Sequence, residues 1–275
     1  MPTTLRVVTY NLLNGGVDDG DDRRWRTQLD MLASLAADVV VVQEAKHWDR
    51  DGAARMFATA NTLGLQPLLA RSASHGCHLV VLHRWPKVRG VRFDPAAGCT
   101  AFHHALARVH LRITGFDEPV RLLATHLDPF SGDHRLAEAG WLTTTEYTGG
   151  HTIVAGDLNC IGATDPEPDW DALDGPHIHR RLIDPDGRLG RADRRAMRVL
   201  LAEGYHDPQA ELGLPLSPTA GHQDGEPGRR SDYILLSGAL LPALVGYRTI
   251  DTPTTRTASD HLPVIADLDL DALGR

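Results

Sequence analysis

Cysteine is scarce, with three in 275 residues. Cys77, Cys99 and Cys160 are far apart, odd in number and without CxxC spacing, which argues against a disulfide framework or a thiolate zinc site and favours a reducing, cytoplasmic setting. Long apolar runs are also missing: no stretch approaches the roughly 20 residues that a membrane-spanning helix needs. The start Met1-Pro2-Thr3-Thr4-Leu5-Arg6 has no charged leader followed by an apolar segment, so the chain is read as lacking an export signal and a membrane partner. Aromatic residues reach only 5%, and Trp25, Trp48, Trp85, Trp141 and Trp170 are scattered without a platform for stacking bases. Positive charge is in deficit. Lys and Arg number 28 against 36 Asp and Glu, a net charge of −8 that repels a polyanion unless basic residues gather on one face. What remains is an apolar content of 42%, enough for a sizeable core in one domain spanning 1–275 and too high for a chain that is mainly disordered.

The periodicities alternate along the chain. Leu5 to Tyr10 reads as a strand ending in the turn-forming stretch Asn11 to Gly16. Apolar residues then recur at Trp25, Leu29, Leu32, Leu35 and Ala36 on one helical face, and Asp38-Val39-Val40-Val41-Val42 reads as a strand buried on both sides. This is a βαβ unit. A helix is expected over Gly52 to Leu63, with strands near Leu68 to Arg71, Leu79 to His83 and Val88 to Phe93. His103 to Ile113 and Val120 to His126 read as an antiparallel hairpin, so the sheets are mixed. Further elements are a helix over His134 to Tyr147, strands at Thr152 to Ala155, Tyr233 to Leu236 and Pro263 to Leu268, and one helix near Ala192 to Ala202. That last helix lies in a tract, 160–230, otherwise read as surface connections.

Six segments share one property: an apolar run delivers a carboxylate, carboxamide or imidazole at its end. They are Thr9-Tyr10-Asn11, Val41-Val42-Gln43-Glu44, Ala124-Thr125-His126-Leu127, Gly156-Asp157-Leu158-Asn159, Arg230-Ser231-Asp232-Tyr233 and Ser259-Asp260-His261-Leu262-Pro263. In these segments, and in their order, the chain resembles the endonuclease/exonuclease/phosphatase superfamily, which includes pancreatic-type deoxyribonuclease, apurinic-site endonucleases, neutral sphingomyelinases and inositol polyphosphate 5-phosphatases. The resemblance implies a deoxyribonuclease-like α/β fold, a four-layered αββα sandwich with two mixed β-sheets.

It also implies a chemistry. Hydrolysis of a phosphoester requires neutralising the phosphoryl oxygens, orienting a water in line with the leaving oxygen and removing its proton. By resemblance, Asn11, Glu44 and Asp260 belong to the metal region, which takes Mg2+ with Mn2+ as a substitute, an ion that prefers oxygen ligands. Asp157 positions or activates the water, Asn159 donates to a phosphoryl oxygen, and His261 binds the phosphate or acts as general base. Asp232 orients His261, and His126 is the second active-site histidine. Asp157 and Asn159 lie two apart on extended chain and so share a face. Apurinic-site endonucleases carry an aspartate two residues after the first asparagine; here Leu13 stands there, followed by Asn14, which weakens that branch. His78, within the stretch resembling the central strand, has no assigned role.

Plainer readings compete at each position. At Glu44 a surface carboxylate could end a strand, but a charge so close after four valines, with only Gln43 between, is costly unless paired. Asp157 and Asn159 alone would read as an Asx-turn. Seven arginines between Arg180 and Arg198 could track phosphates, although Arg194, Arg195 and Arg198 alternate with apolar residues as on a solvated helix face, which is the preferred reading. His103, His104 and His110 are read as packing or surface residues of a strand. The expected enzyme is a magnesium-dependent hydrolase of phosphate esters, with a nucleic acid or nucleotide-like diester as first-choice substrate. A small phosphorylated metabolite or lipid headgroup is the alternative, and a non-catalytic binding module of the same fold is the third reading. Leaving-group recognition is expected in loops 72–78, 128–134 and 160–230.

Overall fold

The computed structural model describes residues 3–144, 149–223 and 226–274. The chain runs through β1 (Thr4–Asn11), α1 (Arg23–Ser34), β2 (Val39–Gln43), α2 (Ala54–Leu63), β3 (Gln66–Ala70), β4 (Leu79–His83) and β5 (Val88–Asp94). It continues with β6 (Ala105–Ile113), β7 (Phe116–His126), α3 (Gly132–Trp141), β8 (Thr152–Asp157), β9 (Arg181–Ile183), β10 (Leu189–Ala192), α4 (Arg195–Ala202), β11 (Tyr205–His206) and α5 (Pro208–Glu211). Last come β12 (Asp232–Ser237), β13 (Leu244–Thr249), α6 (Pro253–Ala258) and β14 (Val264–Asp269).

Two six-stranded mixed sheets result, ordered β13-β14-β1-β2-β4-β3 and β11-β12-β8-β7-β6-β5. In the first, β1 and β2 are parallel and joined through α1, as the βαβ reading expects; in the second, β7 and β8 are parallel and joined through α3. The β6–β7 hairpin is antiparallel, and Phe116 already pairs with Ile113, so its connection is shorter than the sequence suggests.

The strand period of two assigns each side chain a layer. Leu5, Val7, Val39 and Val41 of the first sheet meet Leu122, Ala124, Ile153, Ala155, Ile234 and Leu236 of the second in one buried cluster. Val8, Tyr10, Val40 and Val42 face the other way, onto Leu29 and Leu32 of α1 and Met56, Ala60 and Leu63 of α2. Leu123, Val154, Tyr233 and Leu235 cover α3 and α4 through Ala139, Ala196, Met197 and Leu200. The molecule is thus an αββα sandwich, and because β1, β2, β7 and β8 are covered on both faces, their apolar runs are continuous instead of alternating. Each fully buried Val or Leu contributes on the order of 1.5–3 kcal/mol, so both helical layers are held mainly by apolar burial.

Some elements differ from the sequence reading. α3 ends at Trp141, and residues 145–148, where the longer helix was expected to finish, lie outside the described residues. The tract 160–230 is not mere connection: it holds the β9–β10 hairpin, α4, β11 and α5. No helix among the described residues is long and apolar enough to cross a membrane.

Candidate active site

At one rim of the sandwich, the inward-facing stripes end in polar residues. Gln43, His126, Asp157 and Asp232 each occupy the next core-facing place beside a buried apolar residue, Asn11 follows Thr9 in the same stripe, and all are buried. Register fixes their company. Asn11 pairs with Gln43 across β1 and β2, while Asp157 pairs with His126 on one side and Asp232 on the other. A slip by one residue would send any of these side chains to the opposite face, so the apolar core itself specifies the site.

Asp157 is the hub. Its Oδ1 accepts from the Asn159 N–H at 2.8 Å and the Ser231 hydroxyl at 2.7 Å, and its Oδ2 accepts from Asn11 Nδ2 at 3.2 Å. The same Oδ2 lies 3.4 Å from His126 Nε2 and 3.7 Å from His261 Nε2. Burial opposes charge on this carboxylate, but the neighbouring His261 and His126, with the Ser231 and Asn159 hydrogen bonds, outweigh it and hold its pKa below the usual carboxylate range.

His261 Nδ1 faces Asp232 Oδ2 at 2.7 Å, and the Thr219 hydroxyl donates to that oxygen at 2.7 Å. Asp232 Oδ1 is buried without a partner among the described residues. Burial works against the imidazolium, yet the charges of Asp232 and Asp157 prevail and push the His261 pKa up; burial pushes Asp232 up as well. The two shifts belong to one proton held between Nδ1 and Oδ2. Nε2 is left as the nitrogen that can work on a ligand.

Glu44 is half-buried, one residue beyond the end of β2, with φ 54°. Positive φ is uncommon for a residue with a side chain and is tolerated where surroundings enforce it. Here Glu44 Oε1 accepts from Asn11 Nδ2 at 3.2 Å and Oε2 from the Asn14 N–H at 2.9 Å. Leu13, Asn14 and Asn159 also have positive φ, so four non-glycine backbone outliers border this one site. Asp260 is half-buried, with its Oδ1 3.3 Å from the Ser259 hydroxyl, which also donates to the Asn11 carbonyl at 2.8 Å. Asn159 Nδ2 donates to the Leu127 carbonyl at 3.0 Å.

Among the described residues, two trios of ligating side chains have their ligand atoms within 4.8 Å of one another: Asp157, Asp232 and His261, and separately His103, Asp128 and His134. Glu44 and Asp260 belong to neither. The first trio is a hydrogen-bonded proton network whose Nδ1 is already committed to Asp232. Glu44 and Asp260 instead offer hard carboxylate oxygens near the same rim. Asn11, whose Nδ2 faces Glu44 and whose Oδ1 accepts from the Leu13 N–H at 3.0 Å, stands beside them with a second lone pair on that oxygen. This donor chemistry fits magnesium, which needs only one or two carboxylates and keeps several waters.

Several residues of this network have weak sequence signals. Ser231 and Ser259 lie inside the quoted segments but are not singled out there, and Thr219 sits in the Pro- and Gly-rich tract with no local signal. His104 precedes β6, and its ring stacks on His126 with centroids 4.2 Å apart and planes at 27°. Burial first, and then the neighbouring His126 and His103, push its pKa down to about 3, so His104 packs as a neutral ring. His78 is structural: Nδ1 accepts from the Ser72 N–H at 3.0 Å and Nε2 lies 3.1 Å from Asp49 Oδ1, tying two loops together. Of Arg194, Arg195 and Arg198, the solvated-face reading holds for Arg198 alone. Arg194 caps α4 from a buried position and pairs with Glu167, and the half-buried Arg195 pairs with Asp133 and Asp193, because the carboxylates packed against the start of the helix draw both side chains inward.

A two-sheet α/β sandwich whose strand ends gather carboxylates, carboxamides and imidazoles at one rim defines a deoxyribonuclease-like class of protein. The chain belongs to the endonuclease/exonuclease/phosphatase family, whose model matches residues 8–261. Among solved structures it is similar to an AP endonuclease from Archaeoglobus fulgidus, at 18% identity and TM-score 0.63 over 96% of this chain and 99% of that one. It is likewise similar to a 3′ phosphatase from Neisseria bound to a product DNA hairpin, at 18% identity and TM-score 0.64 over 96% and 99% of the chains. The human Nocturnin catalytic domain with bound sulfate is similar at 16% identity and TM-score 0.65 over 97% and 93%. At these identities the likeness shows the fold. No curated protein matches the chain significantly in sequence.

Proposed function

We propose that this protein is a divalent-metal-dependent phosphoesterase that cleaves phosphodiester bonds by in-line attack of an activated water, acting on a nucleic acid or a nucleotide-like diester. The observation that carries the reading is the convergence of Asn11, Glu44, His126, Asp157, Asp232 and His261, drawn from both sheets, at one rim. Similar structures include an AP endonuclease and a 3′ phosphatase bound to DNA, which agrees with phosphate-ester chemistry.

Glu44, Asn11 and Asp260 are the residues that would hold the cation, which supplies Lewis-acid stabilisation of charge on the phosphoryl oxygens when bound. Asp157, held ionised by the two histidines, accepts the proton of the attacking water. Asn11, Ser231 and the Asn159 N–H fix that carboxylate, so its orientation is set before substrate arrives. Asp232 holds the proton at His261 Nδ1 and keeps the imidazolium charged, which aims an Nε2–H donor at a phosphoryl oxygen. His126, 3.4 Å from the same carboxylate, supplies a second donor, and Asn159 a third from the cleft wall.

A small phosphorylated metabolite is the second reading, favoured by the net charge of −8. The test is a panel assay with magnesium or manganese on plasmid DNA, RNA, chromogenic mono- and diesters, sphingomyelin and inositol phosphates. Glu44→Gln and His261→Ala should stay folded while the active substrate loses at least about 100-fold in kcat. Unchanged hydrolysis in either variant removes the assignment.

A further inference from the structure

A cleft of about 370 Å³ is lined by His261 together with Asn159, Arg180, Glu226, Arg229 and Asp260. Arg180 immediately precedes β9, and Arg229 is joined through the backbone of Ala220, which bridges to both Arg229 and His261. Two arginine side chains therefore line the same cleft as the imidazole. One carboxylate serves both: Glu226 accepts from Arg180 Nη2 at 3.2 Å and 3.3 Å and pairs with Arg229 Nη1. Arg229 Nη1 also reaches the Pro227 carbonyl at 3.3 Å. These bonds use one terminal nitrogen of each arginine. Both Nε atoms are shut off from solvent without an acceptor among the described residues, and the Arg229 side chain is only 5% exposed.

Buried donors without acceptors are costly, and a half-neutralised pair of like charges more so. Burial, and then the charge of Arg229, push the Arg180 pKa down to about 10, which still leaves it positive at neutral pH. Among the lining groups, the two guanidinium groups share the single carboxylate of Glu226, with Asp260 as the other acid of the cleft. A planar guanidinium offers a fork of N–H donors that matches a phosphate, and two of them side by side match one better.

We infer that Arg180 and Arg229 form a subsite for a second phosphate group of the substrate, beside the phosphate that is attacked. This rests on the phosphoesterase reading above and narrows it. The occupant is a small ester with two phosphates, because the cleft is near the low end of the roughly 300–1,000 Å³ of small-molecule sites and a net charge of −8 opposes a long polyanion. Among the seven arginines of 180–198, Arg180 is the one that lines this cleft.

The test is calorimetric titration of the full chain, in buffer with a chelator, with adenosine 3′,5′-bisphosphate, adenosine 5′-monophosphate and an eight-residue thymidine oligonucleotide. The wild type is expected to bind the bisphosphate at least about tenfold tighter than the monophosphate, and Arg180→Gln to cut that preference to about threefold or less. Arg180→Lys, which keeps the charge and loses the fork, should fall between them. Equal affinities in the wild type, no binding of either nucleotide, or an undiminished preference in Arg180→Gln overturns the subsite. An oligonucleotide bound more than about tenfold tighter than the bisphosphate overturns the small-molecule occupant. Hydrolysis of a chromogenic diester with magnesium, measured alongside, separates the two claims: turnover without phosphate preference defeats the subsite alone, and preference without turnover defeats the phosphoesterase reading alone.

Discussion

The carboxyl group of Glu138, on the buried side of α3, accepts the His103 N–H at 2.6 Å and the Asp128 N–H at 2.7 Å, and so braces the loops that flank His104 and His126. Burial pushes its pKa up to about 7, against which the two hydrogen bonds act only partly. A carboxyl raised in the folded state contributes stability that is fully present below the unfolded pKa, near 4.5, and lost as pH rises through about 7. The stability difference between wild type and Glu138→Gln should therefore shrink by on the order of 1–3 kcal/mol from pH 4.5 to pH 7.5 in denaturant titrations, and a flat difference would contradict the shift. Asp232→Asn should remain folded and lose about 10² to 10⁴ in kcat, since His261 loses the acceptor that holds its proton. The residues at or just past the ends of apolar strands, such as Glu44 and Asp157, were legible because a polar group after a buried run needs a reason, and His261, ahead of β14, was legible through its Ser-Asp-His-Leu-Pro segment. Thr219 and Arg229 were not, because backbone pairing through Ala220 places them, and that pairing exists only in the fold.

Among the elements, the parallel pair β7 and β8 matters most, since its register sets His126 against Asp157. Gly156 is part of that pair. A Cβ there would sit 1.8 Å from the Thr125 carbonyl oxygen, and its φ is 153°. Gly156→Ala is expected to destabilise by more than about 3 kcal/mol, read by urea denaturation. Gly140, exposed in α3 with open space around its Cβ position, gives the opposite sign: Gly140→Ala should gain about 0.5–1 kcal/mol. Strong periodicity made β2, β4 and the helix α1 readable in sequence. The short β9, β11 and α5 went unread because pairing with neighbours and capping, not an apolar stripe, define them; β13, an edge strand, had the same weakness.

At the scale of the molecule, the apolar seam between the sheets and the polar rim are one construction: the same alternation that buries Val7, Val41, Ala124 and Ala155 delivers Asn11, Gln43, His126 and Asp157 two or four places on. The four layers followed from resemblance to a family pattern, because periodicity reports which face is apolar and not which sheet lies opposite. With only two arginines lining the cleft beside His261, kcat/KM on a small phosphoester should change less than about threefold between 50 and 200 mM salt, whereas a strand-tracking nuclease loses on the order of 10³ or more in affinity. The most direct measurement is the rate of hydrolysis of a chromogenic phosphodiester in magnesium by wild type and by Asp157→Asn, whose shape is nearly unchanged. The wild type should turn over and stop when a chelator is added, and Asp157→Asn should fall at least about 100-fold with an unaltered circular dichroism spectrum. Equal turnover by the two proteins, or full activity in chelator, would contradict a metal-assisted site centred on Asp157.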